Sequence, residues 1–395
     1  MKGDMQRWTP NVASIIEHAK ELHPTTEIVS RMVSGEIHRT NYDEVCVRAR
    51  KLASALEKDG YKKGDVLATL ALNTYRHLEM YFGISGMGAV THTLNFRLHP
   101  EQAVYIINHA EDKIIFCELP FIPILEALKD QLKTVEKYVI LCDESEMPET
   151  SLENTISYEE YIKDGDEDYK WPALEDDAAC ALCYTSGTTG NPKGVLYSHK
   201  SNIYHATSAY AALTIDKDDC ILMVVPMFHV LAWGIPYFGP MTGNKLVMPG
   251  MGMEGDSLYE LIDTEGVNST FGVPTVWMQL LAYCRENNKV LDSVKNTIIG
   301  GSALSLAMLK EFDEVHDVNV IHAWGMTEMS PLGTTNLPTK EMETMNKDEK
   351  YAIQLKQGRP VFGVELKITD DNGNDLPNDG EAYGHLMVRG PWILQ

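Results

Sequence analysis

Long hydrophobic segments and disulfide-type cysteine patterns are scarce in this chain. Only seven of the 395 residues are cysteine, and the one close pair, Cys180 and Cys183, has no second pair to complete a zinc site. The longest apolar run, residues 220–228, is far shorter than the roughly 20 residues that span a bilayer. The first residues lack the apolar core of a signal peptide. These absences argue against a secreted disulfide scaffold and an integral membrane segment, and they predict a reducing, cytoplasmic setting.

Basic residues are also few. The chain has 34 Lys and Arg against 57 Asp and Glu, a formal net charge of −23. Such a surface repels phosphate backbones, which argues against a nucleic-acid partner. Hydrophobic residues make up 44% of the chain, enough for a large core, so general disorder is excluded as well. Because the overall negative charge repels anions, any anionic ligand must be held by a local arrangement of donors.

Short β-branched runs alternate with amphipathic stretches along most of the chain. In the first zone, 1–171, candidate strands at 66–72, 89–94, 113–117 and 138–142 are separated by candidate helices. The second zone, 172–356, repeats this pattern, whereas the acidic stretch 143–168 reads as a surface connection. We therefore predict an α/β fold with two mixed, mostly parallel sheets sandwiched by helices.

The third zone, 357–395, changes its period. Residues 364–368 alternate, 371–374 form a turn signal, and 384–388 read as another strand. This pattern predicts the start of a small β-barrel subdomain. The chain then stops on an apolar run without a stop signal, so we expect a fragment of a longer protein.

The strongest motif in the sequence is a glycine- and hydroxyl-rich loop that ends in a lysine. Glycines let successive backbone N–H groups point toward one centre, hydroxyls add donors, and Lys193 adds a positive charge. Pro192 before the lysine and Gly194 after it exclude a Walker A loop, which opens directly into a helix. The loop instead joins two predicted strands and forms a polyphosphate cradle, with candidate ligands Thr185, Ser186, Gly187, Thr188, Thr189, Gly190 and Lys193.

At this loop the sequence resembles the adenylate-forming superfamily, and specifically its acyl-CoA synthetases. Further segments match in the family's order over nearly the whole chain: 226–229 with Trp233, then 300–303, 324–328 and 358–360. The resemblance implies ATP, Mg²⁺ and coenzyme A. A carboxylate attacks the α-phosphorus of ATP and releases pyrophosphate, and the thiol of coenzyme A then displaces AMP.

The resemblance also implies residue roles. The loop and Lys193 hold the β- and γ-phosphates, Glu328 and Thr185 bind magnesium, and catalysis rests on Lys193, His229, Thr327 and Glu328. Its nucleotide site further includes Gly301, Ser302, Ala303, His322, Ala323, Trp324, Gly325, Met326 and Thr327. Its acid pocket includes His229, Trp233, Gly300, Trp324, Gly325 and Pro331.

Several alternatives remain open at this stage. The candidate acids are fatty acids and short- to medium-chain acids, with 3-methylmercaptopropionate among them. An aryl-acid CoA ligase and a non-catalytic nucleotide- or acyl-binding protein would carry the same motifs. Amino-acid activation ranks low because no carboxylate follows His229 until Glu254 to pair with an ammonium. Resemblance to the long-chain enzymes implies a homodimer. The family's later ribose-binding segment, hinge and small carboxyl-terminal domain do not occur in this sequence, so we expect the chain alone to turn over poorly.

Overall fold

The computed structural model describes residues 4–6, 8–185 and 190–395. Within these residues the chain forms eighteen strands and twelve α-helices. The strands, in chain order, are β1 (Glu27–Arg31), β2 (Ile37–Asn41), β3 (Val66–Leu70), β4 (Val90–Thr93), β5 (Ile114–Cys117), β6 (Lys137–Ile140), β7 (Thr155–Ser157), β8 (Ala179–Thr185), β9 (Lys193–Ser198), β10 (Cys220–Met223), β11 (Lys245–Met248), β12 (Ser269–Gly272), β13 (Asn296–Ile299), β14 (Asn319–Gly325), β15 (Leu332–Thr335), β16 (Arg359–Pro360), β17 (Glu365–Thr369) and β18 (His385–Arg389).

The helices connect these strands and carry recognisable start signals. Ser305 caps one of them by accepting a hydrogen bond from the Met308 backbone, and Pro100 and Pro274 occupy first turns, where a missing N–H costs nothing. The helices are α1 (Ala13–Leu22), α2 (Tyr42–Lys58), α3 (Tyr75–Gly86), α4 (Pro100–Ala110), α5 (Ile122–Leu128), α6 (Tyr158–Ile162), α7 (His199–Ala212), α8 (Ile235–Thr242), α9 (Gly255–Glu265), α10 (Pro274–Asn287), α11 (Leu306–His316) and α12 (Lys347–Gln354).

Two large sheets dominate the architecture, which confirms the predicted fold class. A nine-stranded sheet has the order β16-β15-β14-β13-β12-β10-β11-β1-β2, and a seven-stranded sheet has the order β7-β6-β5-β3-β4-β8-β9. The central pairs of both sheets are parallel, and antiparallel pairs lie toward the edges. Strands β17 and β18 form a separate antiparallel hairpin where we predict the barrel unit.

The two sheets exchange strands along the chain. Strands β1 and β2 belong to the nine-stranded sheet although they precede every strand of the other sheet, and β8 and β9 close the seven-stranded sheet. The sheets are therefore not divided at residue 171, and the boundaries at 171 and 356 stay predictions about domains.

Helices α1, α2, α3, α7 and α8 lie between the sheets. Their apolar side chains share one core cluster with Ile28, Met223 and Leu246 of one sheet and with Ala181 and Val195 of the other. Helices α9, α10 and α11 cover the outer face of the nine-stranded sheet. Helices α4 and α5 cover a face of the seven-stranded sheet. No helix in the described part of the chain is both long and apolar enough to cross a membrane.

One structural expectation was wrong. The stretch 143–168, predicted as an irregular surface connection, contains β7 and α6. Ser157 caps α6, and Tyr158 is fully buried with its hydroxyl donating to Glu79 at 2.8 Å. Because this order comes from tertiary burial, the short and acidic sequence carries no periodic signal for it.

Candidate active site

A cavity of about 210 Å³ opens at the carboxyl ends of β10, β12, β13 and β14. This edge of a mostly parallel sheet is where α/β folds hold their ligands, since the following loops diverge there. The cavity brings together all six predicted acid-pocket residues and much of the predicted nucleotide site. Its lining consists of Leu213, His229, Val230, Trp233, Phe271, Ile298, Gly300, Gly301, Ala323, Trp324, Gly325, Met326, Thr327, Pro331 and Leu332.

Trp233 reaches this cavity from a turn with unusual backbone geometry. The residues from Val230 to Trp233 have φ values of 34°, 41°, 48° and 57°, although none is glycine. A left-handed conformation costs such residues about 1–2 kcal/mol each, so the surrounding structure must hold the turn in place. A Cβ atom added at Gly300 would lie 3.2 Å from the Trp233 ring. The glycine therefore leaves room for the indole to form one wall of the cavity.

His229 immediately precedes this turn and borders the cavity. Its side chain keeps an exposed edge, while partial burial lowers the pKa of its imidazole below the usual 6.5. The ring is consequently neutral near pH 7, and it can donate one hydrogen bond and accept another. A neutral donor at this wall suits a carboxylate whose negative charge must remain available for attack.

The predicted phosphate loop joins β8 and β9 as an antiparallel hairpin. Thr185 pairs with Lys193 in the register, and its hydroxyl donates to the Lys193 carbonyl at 3.4 Å. The Lys193 side chain is exposed, and neither residue lines the cavity. Four predicted loop ligands lie outside the described residues: Ser186, Gly187, Thr188 and Thr189.

The Thr-Glu motif lies beside the same hairpin. After β14 the chain forms a 3-10 turn over Thr327–Met329, and the Tyr197 hydroxyl of β9 donates to the Thr327 carbonyl at 2.7 Å. Glu328 lines a second crevice of about 400 Å³ together with Val195 and Tyr197. Burial, with the negative charge of Glu328 adding to it, raises the pKa of Tyr197. Strand β9, which begins at Lys193, therefore runs alongside the predicted magnesium carboxylate.

The binding of Mg²⁺ by Glu328 and Thr185 stays a prediction. In phosphoryl-transfer sites Mg²⁺ takes one or two protein ligands and completes its shell with phosphate and water oxygens. The described residues contain no group of three or more His, Cys, Asp or Glu side chains placed to hold a metal. Glu328 and Thr185 would be ligands of the sparse kind that nucleotide-bound magnesium uses.

Outside the phosphate loop, three predicted nucleotide-site residues do not line the cavity. His322 is buried, its Nδ1 lies 3.0 Å from the Leu355 carbonyl oxygen, and burial lowers its pKa. Ser302 and Ala303 are exposed in the loop before α11. Their contact with an adenine stays a prediction.

Several cavity residues were not singled out from the sequence. Leu213, Phe271 and Ile298 look like ordinary core residues in strand or helix patterns. Phe271 and Ile298 lie near the carboxyl ends of parallel strands, and that position is the sequence signal that could have identified them as cavity residues.

The chain matches the family model described as AMP-binding enzyme over residues 16–395. It is 46% identical over 396 residues to the 3-methylmercaptopropionyl-CoA ligase of Ruegeria lacuscaerulensis, covering 100% of this chain and 74% of that protein. It is also 46% identical over 397 residues to the medium-chain-fatty-acid–CoA ligase of Ectopseudomonas oleovorans, covering 100% of this chain and 73% of that protein.

Solved structures show the same fold. The anthranilate CoA ligase AuaEII in complex with anthranoyl-AMP superposes with a TM-score of 0.87 at 22% identity, covering 100% of this chain and 72% of that one. The family match covers far more than half of the chain and gives one conclusion. The chain belongs to the AMP-binding enzyme family.

Proposed function

We propose that this chain acts as an ATP-dependent carboxylic acid–CoA ligase. The carboxylate attacks the α-phosphorus of ATP, the bond to the pyrophosphate oxygen breaks, and an acyl-adenylate forms. The sulfur of coenzyme A then attacks the acyl carbon, its proton is lost, and AMP leaves. The observation that carries the proposal is the single cavity that joins His229 and Trp233 to Thr327.

The residues of this chain act by position and charge, as in other phosphoryl transfers. Lys193 and the loop donors neutralise the departing pyrophosphate. Thr327, on the cavity wall, donates to the α-phosphate. His229 orients the incoming carboxylate. Magnesium, held by Glu328 and Thr185, would supply charge neutralisation at the phosphates.

We propose a short acid, of about the size of 3-methylmercaptopropionate, as the preferred substrate. A cavity of about 210 Å³ is small for a ligand site, since such sites usually measure roughly 300–1,000 Å³. The indoles of Trp233 and Trp324 both line it and limit its depth. The relative from Ruegeria, named as a 3-methylmercaptopropionyl-CoA ligase, agrees with this size class.

The test is carboxylate-dependent exchange of labelled pyrophosphate into ATP by the complete protein. A panel should include propionate, 3-methylmercaptopropionate, octanoate, palmitate and benzoate. We expect the highest kcat/KM with the short thioether acid. A maximum at octanoate or palmitate would contradict the short-acid assignment, a maximum at benzoate would favour an aryl-acid ligase, and no exchange with any acid would favour a non-catalytic binding protein.

A cytoplasmic homodimer completes the proposal. All seven cysteines are buried free thiols, as expected in a reducing compartment. The homodimer rests on the resemblance to long-chain enzymes. Light scattering of the purified protein should give twice the monomer mass, and a monomer mass would refute this part.

A further inference from the structure

Asn73 joins the two sheets at the level of the cavity. It follows β3 of the seven-stranded sheet, and its side chain contacts the backbone that continues from β10 of the nine-stranded sheet. Its Nδ2 donates to the carbonyls of Met223 at 2.6 Å and Val225 at 2.8 Å, and its Oδ1 accepts from the Met227 backbone at 2.7 Å. Asn73 is 6% exposed, so both ends of a buried amide are satisfied by one foreign segment.

Two more buried side chains bind the same backbone segment. The Tyr81 hydroxyl, on α3, donates to the Met227 carbonyl. The Thr93 hydroxyl, at the end of β4, donates to the Phe228 carbonyl at 3.1 Å. Asn73, Tyr81 and Thr93 are here called the backbone clamp. All three are buried, and together they fix residues 223–228 by five hydrogen bonds.

The clamped segment leads directly into the wall of the acid pocket. His229 comes next, followed by the left-handed turn that carries Trp233. A strained turn persists only where its surroundings determine it. The clamp fixes the start of the turn, and Gly234 with the first turn of α8 fixes its end.

The clamp is also connected to the strand that carries the phosphate loop. Strand β4 pairs in parallel with β8 through Thr91 and His92, and the Thr93 hydroxyl lies 3.3 Å from the Cys183 sulfur of β8. Two residues further along, β8 reaches Thr185 at the base of the loop. The clamp therefore sets the distance between the acid-binding segment and the phosphate-binding strand.

We propose that Asn73, Tyr81 and Thr93 are positioning residues that align the acid with the α-phosphate of ATP. The inference rests on the proposed function. Attack requires the reacting atoms about 3–3.5 Å apart, and a misplacement of about 1 Å can cost about 100-fold in rate. Loosening the clamp lowers the rate of adenylation. It leaves ATP binding unchanged, because the pairing of β8 and β9, the strands that the phosphate loop joins, does not depend on the clamp.

The test uses Tyr81→Phe and Thr93→Val in the complete protein, since each removes one hydroxyl and preserves shape. Tyr42→Phe is the matched control: its buried hydroxyl also donates to a backbone carbonyl, that of Asn244 at 2.6 Å, and neither residue lines the cavity. We expect each clamp variant to lower kcat of pyrophosphate exchange about 10-fold with the KM for ATP unchanged, and the double variant to lose about 100-fold. The control should lose thermal stability to a similar degree and keep its kcat.

Hydrogen exchange of the peptide covering 226–234 gives a readout independent of activity. Faster exchange there in the clamp variants, and not in Tyr42→Phe, supports the inference. The inference is overturned if the wild type catalyses pyrophosphate exchange and both clamp variants keep its kcat. It is also overturned if the clamp variants lose affinity for the acid and for ATP to the same extent. Absence of exchange activity in the wild type contradicts the proposed function and this inference with it.

Discussion

At the scale of single residues, the candidate site contains two kinds of side chain: charged groups and aromatic rings. The oppositely charged Lys193 and Glu328 lie on the β8–β9 hairpin and on the Thr-Glu turn, and Tyr197 of β9 joins the two by its hydrogen bond to the Thr327 carbonyl. His229 and the indoles of Trp233 and Trp324 line the cavity that we propose as the acid site. Changes to the charged pair should therefore affect the phosphoryl step, and changes to the ring residues should affect acid selection.

Lys193→Ala should lower kcat of pyrophosphate exchange by about 100-fold, because one preorganised charge facing the leaving group is lost. The KM for the acid should change little. Lys200→Ala is the control, since Lys200 is a charged residue nearby on α7 that pairs with Asp176. If both variants lose activity equally, Lys193 acts only through the net charge of the surface.

Glu328→Gln should reduce exchange by about 1,000-fold and raise the magnesium concentration needed for half-maximal rate, because a neutral amide is a poor magnesium ligand. Steady-state exchange across a magnesium titration measures both effects. Glu343→Gln, at an exposed site, serves as the control. An unchanged magnesium dependence in Glu328→Gln would remove this residue from the metal site.

At the scale of elements, the left-handed turn after β10 decides the depth of the cavity. It presents Trp233 against Gly300 and Gly301, which follow β13. A regular helix over the same residues would point the indole elsewhere, because side-chain direction depends on the hand of the backbone. Under the proposed function, the substrate range is set by this turn and not by a strand.

Trp233→Ala should raise kcat/KM for octanoate relative to 3-methylmercaptopropionate by about 10-fold or more, since removal of a large ring opens space for several methylenes. The KM for ATP should stay within about twofold of the wild-type value if the ring touches only the acid. Competition assays with paired acids measure the preference. An equal loss of ATP affinity would mean that the indole lies against the nucleotide.

At the scale of the whole molecule, buried titratable groups of both signs link stability to pH. His205 is 1% exposed, its Nε2 accepts from the Leu332 backbone, and burial lowers its pKa to about 3. Glu118 is also 1% exposed, and burial raises its pKa to about 7, against the opposing charge of Arg76. Both groups are neutral in the folded protein over the pH range in which the unfolded chain ionises them.

The histidine and the glutamate act in opposite directions. Below the unfolded pKa of 6.5 the unfolded chain binds a proton at His205 that the folded protein refuses, so stability falls by about 1.4 kcal/mol per pH unit toward lower pH. Above the unfolded pKa of 4.5 the folded protein retains a proton on Glu118 that the unfolded chain releases. Its contribution therefore falls by about the same amount per unit as the pH rises toward 7.

Urea unfolding at several pH values should separate these two effects. Relative to the wild type, His205→Gln should gain about 1.4 kcal/mol per unit as the pH falls below 6.5. Glu118→Gln should show the opposite trend and gain as the pH rises from 4.5 toward 7. Parallel pH profiles for wild type and both variants would show that neither group is held neutral in the folded state.

Local sequence patterns were enough to identify the family and the alternation of strands and helices that begins at β3. The spacing within the glycine-rich loop and the Thr-Glu motif involves residues close together in the chain. The same is true of the period-two and helical patterns, so the sequence alone is enough to recognise motifs and elements of this kind. Strands β3, β4 and β5 lie within the candidate strands predicted at 66–72, 89–94 and 113–117, and the six residues of the predicted acid pocket meet at one cavity.

The tertiary structure alone decided how the two sheets share strands, how deep the cavity is and what fixes its wall. Strands β1 and β2 join a sheet formed by residues about 200 positions later, and burial of Tyr158 orders a segment that has no periodic pattern. The hydrogen bonds of Asn73 to residues 150 and more positions away follow the same principle. Such contacts depend on the packing of elements that are distant in the sequence. Periodicity and motif spacing reflect only interactions between residues close together in the chain, so they could not predict these contacts.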